Sequence, residues 1–219
     1  MNHLYETLAS ALEEPGEDWN TRLDHCRQWL TIQEPEVAIQ LISFRRKVRT
    51  LSIEELKELY SQTFVLNPLC SLDIGYHLFG DNDNRVKLLA KLRETEAAYE
   101  MGQGNQSPDH LPVLLRLLTK LEDEERRHAL IIELLIPALG KMLHALNRAN
   151  NPYQDLIEVI SNALKNELPA ADSSQIEDAG DGPGDHRVSS KAAGERKASR
   201  GQCEVAETAS TRLETVRSS

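Results

Sequence analysis

Leucines recur at helical spacing from the first residues onward. Leu4, Leu8 and Leu12, with Tyr5 beside them, share one face of a helix over residues 2–13. Asp18 or Asn20 can start a second helix carrying Leu23, Cys26, Trp29 and Leu30. Pro35 opens a third, with Val37, Ile39, Leu41, Ile42 and Phe44. Its basic end, Arg45, Arg46, Lys47 and Arg49, complements the negative pole of the helix. Ser52-Ile53-Glu54-Glu55 reads as a capping box, and Leu51 and Leu56 sit where a hydrophobic staple needs them. Leu56, Leu59, Tyr60, Thr63 and Phe64 continue as one stripe until Asn67-Pro68 ends the helix.

A short helical piece over 72–79 leads to a turn through Gly80-Asp81-Asn82-Asp83. The following helix runs to about Glu100, with Val86, Leu89, Leu92 and Tyr99 inward, and 102–107 form a loop. Asp109 can cap a helix bearing Leu111, Leu114, Leu115 and Leu118. A long helix from Asp123 presents Leu130, Leu134, Leu135, Leu139, Met142 and Leu146, with a kink expected at Pro137. Asn151-Pro152 starts the last helix, which carries Tyr153, Leu156, Ile157, Ile160 and Leu164. No segment alternates with period two for long enough to make a strand, so the fold class is all-α, a bundle-like helical domain.

Composition changes the picture after Pro169. Residues 170–219 hold no Phe, Trp, Tyr or Met, and their large aliphatics are Ile176, Val188, Val205, Leu213 and Val216. Such a segment buries too little apolar surface to offset chain entropy, so 1–169 is expected to fold and 170–219 to be a disordered tail. The tail carries seven basic and nine acidic residues, which leaves 18 basic against 26 acidic in the folded part. An acidic balance argues against a general nucleic-acid binder and favours a basic partner or plain solubility. The three cysteines, Cys26, Cys70 and Cys203, form no Cys-x-x-Cys, so a reducing, cytoplasmic setting is expected. The start of the chain does not read as a signal peptide. No stretch approaches the roughly 18 apolar residues of a membrane helix.

Chemical motifs are sparse. Gly75 and Gly80 are spaced like a phosphate loop, but Asp81 stands where its Lys must be. Asp81 and Asp83 begin like a calcium loop, but Val86 and Leu92 occupy the positions of its Gly and its bidentate Glu. Glu125-Arg126-Arg127-His128 is a lone Glu-x-x-His where a di-iron bundle needs two. His25 and Cys26 are adjacent, so on a helix they point apart, and Cys26 reads as core. Neither catalysis nor a bound metal or cofactor is expected.

Two stretches are richer in aromatic and polar residues than a bundle requires. One is Tyr60-x-x-Thr63-Phe64, then Asn67-Pro68-x-Cys70, then Tyr76-His77-Leu78-Phe79-Gly80-Asp81, with Arg85 and leucines following. The other is Pro108-Asp109-His110-Leu111-Pro112, followed by Leu114 and Leu115. Taken alone, the aromatic spacing also fits a core, and Pro-Asp also fits a helix start. Together the stretches resemble the signature segments of the NarJ-type chaperones, within the wider TorD/DmsD family of redox-enzyme maturation proteins. The likeness is good over about residues 50–120 and looser beyond. Val65 and Gln106-Ser107 stand where the family often has acidic residues and Glu-Leu.

The resemblance implies an all-helical, cytoplasmic assembly chaperone rather than an enzyme. Such proteins bind the basic N-terminal leader of an apo molybdoenzyme catalytic subunit, such as that of a nitrate reductase. They hold it until molybdopterin guanine dinucleotide is inserted, before export or membrane attachment. On this reading Tyr60, Phe64, Tyr76 and Leu111 line an apolar groove, and Asp109 accepts a hydrogen bond from a leader Arg or Lys or caps its helix. His77 and His110 supply polar or pH-sensitive contacts, and Asp81 extends an acidic rim. No nucleic acid, no membrane insertion and no resident cofactor are implied, and a homodimer is compatible. The alternative is a helical protein–protein adaptor with no link to cofactor insertion.

Overall fold

The structure, a computed structural model, describes residues 2–66, 68–101 and 105–169. The expected tail, Asn67 and the loop positions 102–104 lie outside the described residues. The helices are α1 (Asn2–Ala11), α2 (Trp19–Gln33), α3 (Pro35–Val48), α4 (Ile53–Phe64), α5 (Ile74–Phe79), α6 (Asp83–Ala98) and α7 (Leu111–Lys120). Then come α8 (Glu124–Ala129), a π-helical segment (Leu130–Leu135), α9 (Ile136–Arg148) and α10 (Tyr153–Glu167). Among the described residues there is no strand. The fold class is all-α.

Local signals account for most boundaries. Ser52 accepts a hydrogen bond from the Glu55 amide, and the Glu55 carboxylate accepts one from the Ser52 amide, so the capping box forms. Leu56 is buried and Leu51 packs against the core beside it. Ser52→Ala is expected to lower stability by about 1 kcal/mol. A thermal melt followed by circular dichroism reads this as a lower midpoint.

Asp123 caps α8 by accepting from the Arg126 amide. Asn151 accepts from the Tyr153 amide at the head of α10. The Pro137 disturbance takes the form of the π-helical turn just before it. Proline has no N–H to donate and its ring crowds the carbonyl four residues back. There the Ile136 amide instead reaches Ile131.

α1 packs on α7 and α2, α10 packs on α3 and α9, and α2 on α3. Arg116 of α7 holds Glu6 and Glu13 on the other side of the α1 contact. One aromatic cluster ties four helices together. Tyr153 lies 5.3 Å from Phe44, 6.0 Å from Tyr60 and 4.9 Å from Phe64, and Trp19 lies 6.0 Å from Phe44.

Three aliphatics named for the predicted helices face water, and for Val86 this corrects an inward assignment. Ile39 and Ile42 face water. The buried stripe of α3 is Val37, Leu41, Phe44 and Val48, and Ile39 and Ile42 sit about 200° and 140° round the helix from Val37. On α6, Val86 is exposed and the inward line runs Arg85, Leu88, Leu92, so a charge leads the stripe. Finally, the helical stretch Glu124–Arg148 is long and apolar enough to cross a membrane by length and composition, although more than half of its most apolar window is buried in the protein.

Candidate functional site

The two signature-like stretches meet in space. The backbone of 72–74 runs antiparallel to that of 109–111: the Ile74 amide donates to the Asp109 carbonyl at 2.8 Å, and the Leu111 amide to the Leu72 carbonyl at 2.9 Å. Asp73 stands at the N-terminus of α5 without capping it, so its carboxylate is available to other elements. Gly80 ends α5 with φ 65° and ψ −157°, a conformation nearly restricted to glycine. Asn82 then caps α6 by accepting from the Asn84 and Arg85 amides. This tight return swings Arg85 back over the start of α5.

Arg85 joins three carboxylates at 3.0 Å each. Its Nε donates to Asp109 Oδ2, one Nη to Asp73 Oδ2 and the other to Asp81 Oδ1. Burial differs greatly among them: the Asp109 side chain is fully buried, Asp73 is half-buried, and Asp81 is 81 % exposed. Ser107 donates to the other Asp109 oxygen, and His110 Nδ1 donates to Asp73 Oδ1 at 3.1 Å. His110, with Arg85 behind it, holds the Asp73 carboxyl below the usual range, although burial alone would raise it. The Arg85 guanidinium carbon lies 5.7 Å from the Tyr76 ring centre. His77 Nε2 donates to the Ser71 carbonyl at 2.7 Å, and Lys141 of α9 donates to the His77 carbonyl at 2.8 Å. Burial pushes the His77 imidazole below its ordinary value.

Gly75 lets these elements close. A Cβ there would lie 2.8 Å from Asp109 Oδ2 and 3.0 Å from Leu88 Cδ2. Both neighbours are held by packing or ion pairing, so neither yields freely. Gly75→Ala is expected to destabilise by about 1–3 kcal/mol, read as a lower urea midpoint with unchanged slope.

The sequence-derived site residues therefore divide. Tyr76 is 48 % exposed, and Asp81 also reaches the surface. Tyr60, Phe64 and Leu111 do not line a surface groove. They are at most 7 % exposed because the aromatic cluster and the α7 stripe absorb them. Asp109 neither caps its helix nor offers an oxygen to an incoming cation. The N-cap position falls on His110, and both Asp109 oxygens are committed to Arg85 and Ser107. His77 and His110 are half-buried and spent on Ser71 and Asp73.

The centre is Arg85, which the sequence shows only as a continuation of the first stretch and not as a site residue. Its one local sign was the Asp81–Arg85 spacing of four residues, which puts opposite charges on one helical edge. Sequence reasoning missed Val65, Leu66 and Leu69, which follow α4 and stay 43–68 % exposed, in the same stretch of chain as Tyr76 and the 64 % exposed Val86.

Both described thiols are inert. Burial pushes Cys26 and Cys70 up to about 12. Among the described residues no group of three or more His, Cys, Asp or Glu is placed to hold a metal ion. The fold and site define an all-α protein whose α5–α6 hairpin is pinned by one arginine to three aspartates. The chain matches no protein-family model and no curated protein.

Proposed function

We propose that this protein is an assembly chaperone of the NarJ type, which binds the basic, amphipathic N-terminal leader of an apo molybdoenzyme catalytic subunit. The observation that carries the reading is the run of large apolar side chains left in water along one segment, Val65, Leu66, Leu69, Tyr76 and Val86. Exposed carboxylates at Asp81 and Asp83 punctuate it. Exposed apolar side chains beside acidic ones suit a leader that carries an apolar stretch and positive charge. The segment is also the one whose residues resemble the family's signature.

In this reading the leader's apolar side chains rest on Leu66 and its neighbours and supply most of the affinity. Asp81 and Asp83 speed encounter and fix orientation. Tyr60, Phe64, Leu111 and Asp109 act as the scaffold that holds the segment in place. Holding the leader keeps the client from export while its cofactor is inserted, and the chaperone itself retains none of it.

Calorimetric titration of a synthetic basic leader peptide tests this. Saturable binding that weakens as salt rises from low to about 0.5 M is expected. No heat at low salt contradicts the reading. A partner helix from the middle of some other protein binding equally well would favour the adaptor alternative.

A further inference from the structure

We propose that α6 is a latched lid, which opens from α5 as a unit while the rest of the fold stays intact, with Arg85 as the latch. The inference does not depend on the leader-binding reading. Of the sixteen residues of α6, Leu92 alone is buried, whereas six of ten are buried in α7 and nine of fifteen in α10. The main packing partner of α6 is the six-residue α5. Its hold on the body is therefore weak in apolar contact and strong in charge. Arg85, 16 % exposed, spans from α6 to Asp73 and to the fully buried Asp109.

Such a pairing is favourable only while closed. Once α6 lifts, the arginine and both aspartates recover water, which offsets part but not all of the ion-pair energy, and the remainder is what the latch contributes. Apolar burial, the term that would resist opening, is small here. The seat is built for reversible closure. Gly75 has no side chain, and the room this leaves is filled by Arg85 Cγ and Leu88 from the lid. Gly80, with its positive φ, sits at the turn where the motion would be absorbed. α5 does not travel with the lid, because it is packed on α9 and tied to Lys141. Opening bares Gly75 and the inner face of Leu88 and Leu92.

Hydrogen exchange of the full chain, read by peptide mass spectrometry, tests this. A lone sixteen-residue helix is marginal in water and frays once lifted, so amides of 83–98 are expected to exchange together and at least roughly 100-fold faster, relative to intrinsic rates, than those of 111–120 and 153–167. Arg85→Gln should speed exchange over 83–98 by a further factor of about ten and leave 153–167 unchanged. Arg85→Lys, which keeps a cation but not the three-way fork, should give the same pattern more weakly and serves if the first variant does not fold. Protection of 83–98 equal to that of α10 overturns the proposal. So does a variant that accelerates every helix alike, or one that leaves 83–98 unmoved.

Discussion

Tyr153→Ala is expected to lose about 3–5 kcal/mol of unfolding free energy. Tyr153 is 1 % exposed and its ring meets Phe44, Tyr60 and Phe64, so truncation opens a void at the junction of α3, α4 and α10. The surrounding rings are themselves pinned and cannot collapse into that void. The helix bearing Tyr153 is held at its head by Asn151, which donates to Thr63 of α4 at 2.9 Å, and by Asp155, which accepts from Lys47 of α3 at 2.7 Å.

Tyr153→Phe is expected to be neutral or slightly stabilising. The Tyr153 hydroxyl is buried without a hydrogen-bond partner among the described residues, and removing such a group costs nothing in lost bonds. Urea unfolding of both variants checks the pair. A large loss in the Phe variant would mean the hydroxyl, not the ring, does the stabilising.

Leu66→Asp is expected to weaken leader binding by about 2 kcal/mol, roughly thirtyfold, with the melting temperature unchanged. Leu66 is 68 % exposed, so its replacement disturbs little in the free protein, where surface changes stay within about 0.5 kcal/mol. In the complex it would set a charge against the leader's apolar face. Ile39→Asp is the control: its side chain is 65 % exposed but lies on α3, away in sequence from the proposed segment. It should leave affinity unchanged. Equal losses in both variants would indicate a general effect of surface charge, and no loss in Leu66→Asp would remove the segment from the interface.

What the sequence carried, and what it withheld, follows from the range of each interaction. Helices announced themselves through repeats of three and four residues, and the caps at Ser52, Asp123 and Asn151 are contacts between near neighbours. Val86 is wrongly faced because an aliphatic on α6 reads as inward, and Ile39 and Ile42 carry the same apolar signal while lying off the buried side of α3. A helix buries one stripe, and position round the axis decides which side chains lie on it. On α6 that stripe starts with Arg85, which no hydropathy pattern flags.

The candidate site residues divide for a different reason. Tyr60, Phe64 and Leu111 were noticed because they are large and close to polar neighbours, but large side chains at helical spacing are what a core consumes. Asp109 stands out in the sequence as the acid of a proline-flanked Asp-His pair at a helix start. Its partner Arg85 is 24 residues away and Asp73 is 36 away, so the clasp exists only once the chain has folded. The exposed residues Val65 and Leu66 could have been suspected, since they continue an apolar run past the end of α4.

We propose that this chain grips an unfinished molybdoenzyme subunit by its N-terminal leader. Capture of the purified apo catalytic subunit on the immobilised full chain, with and without that leader, tests it most directly. Retention of the intact subunit is expected, with loss of retention when the leader is deleted and elution of the bound subunit by free leader peptide. Equal retention of both forms, or of neither, would contradict it.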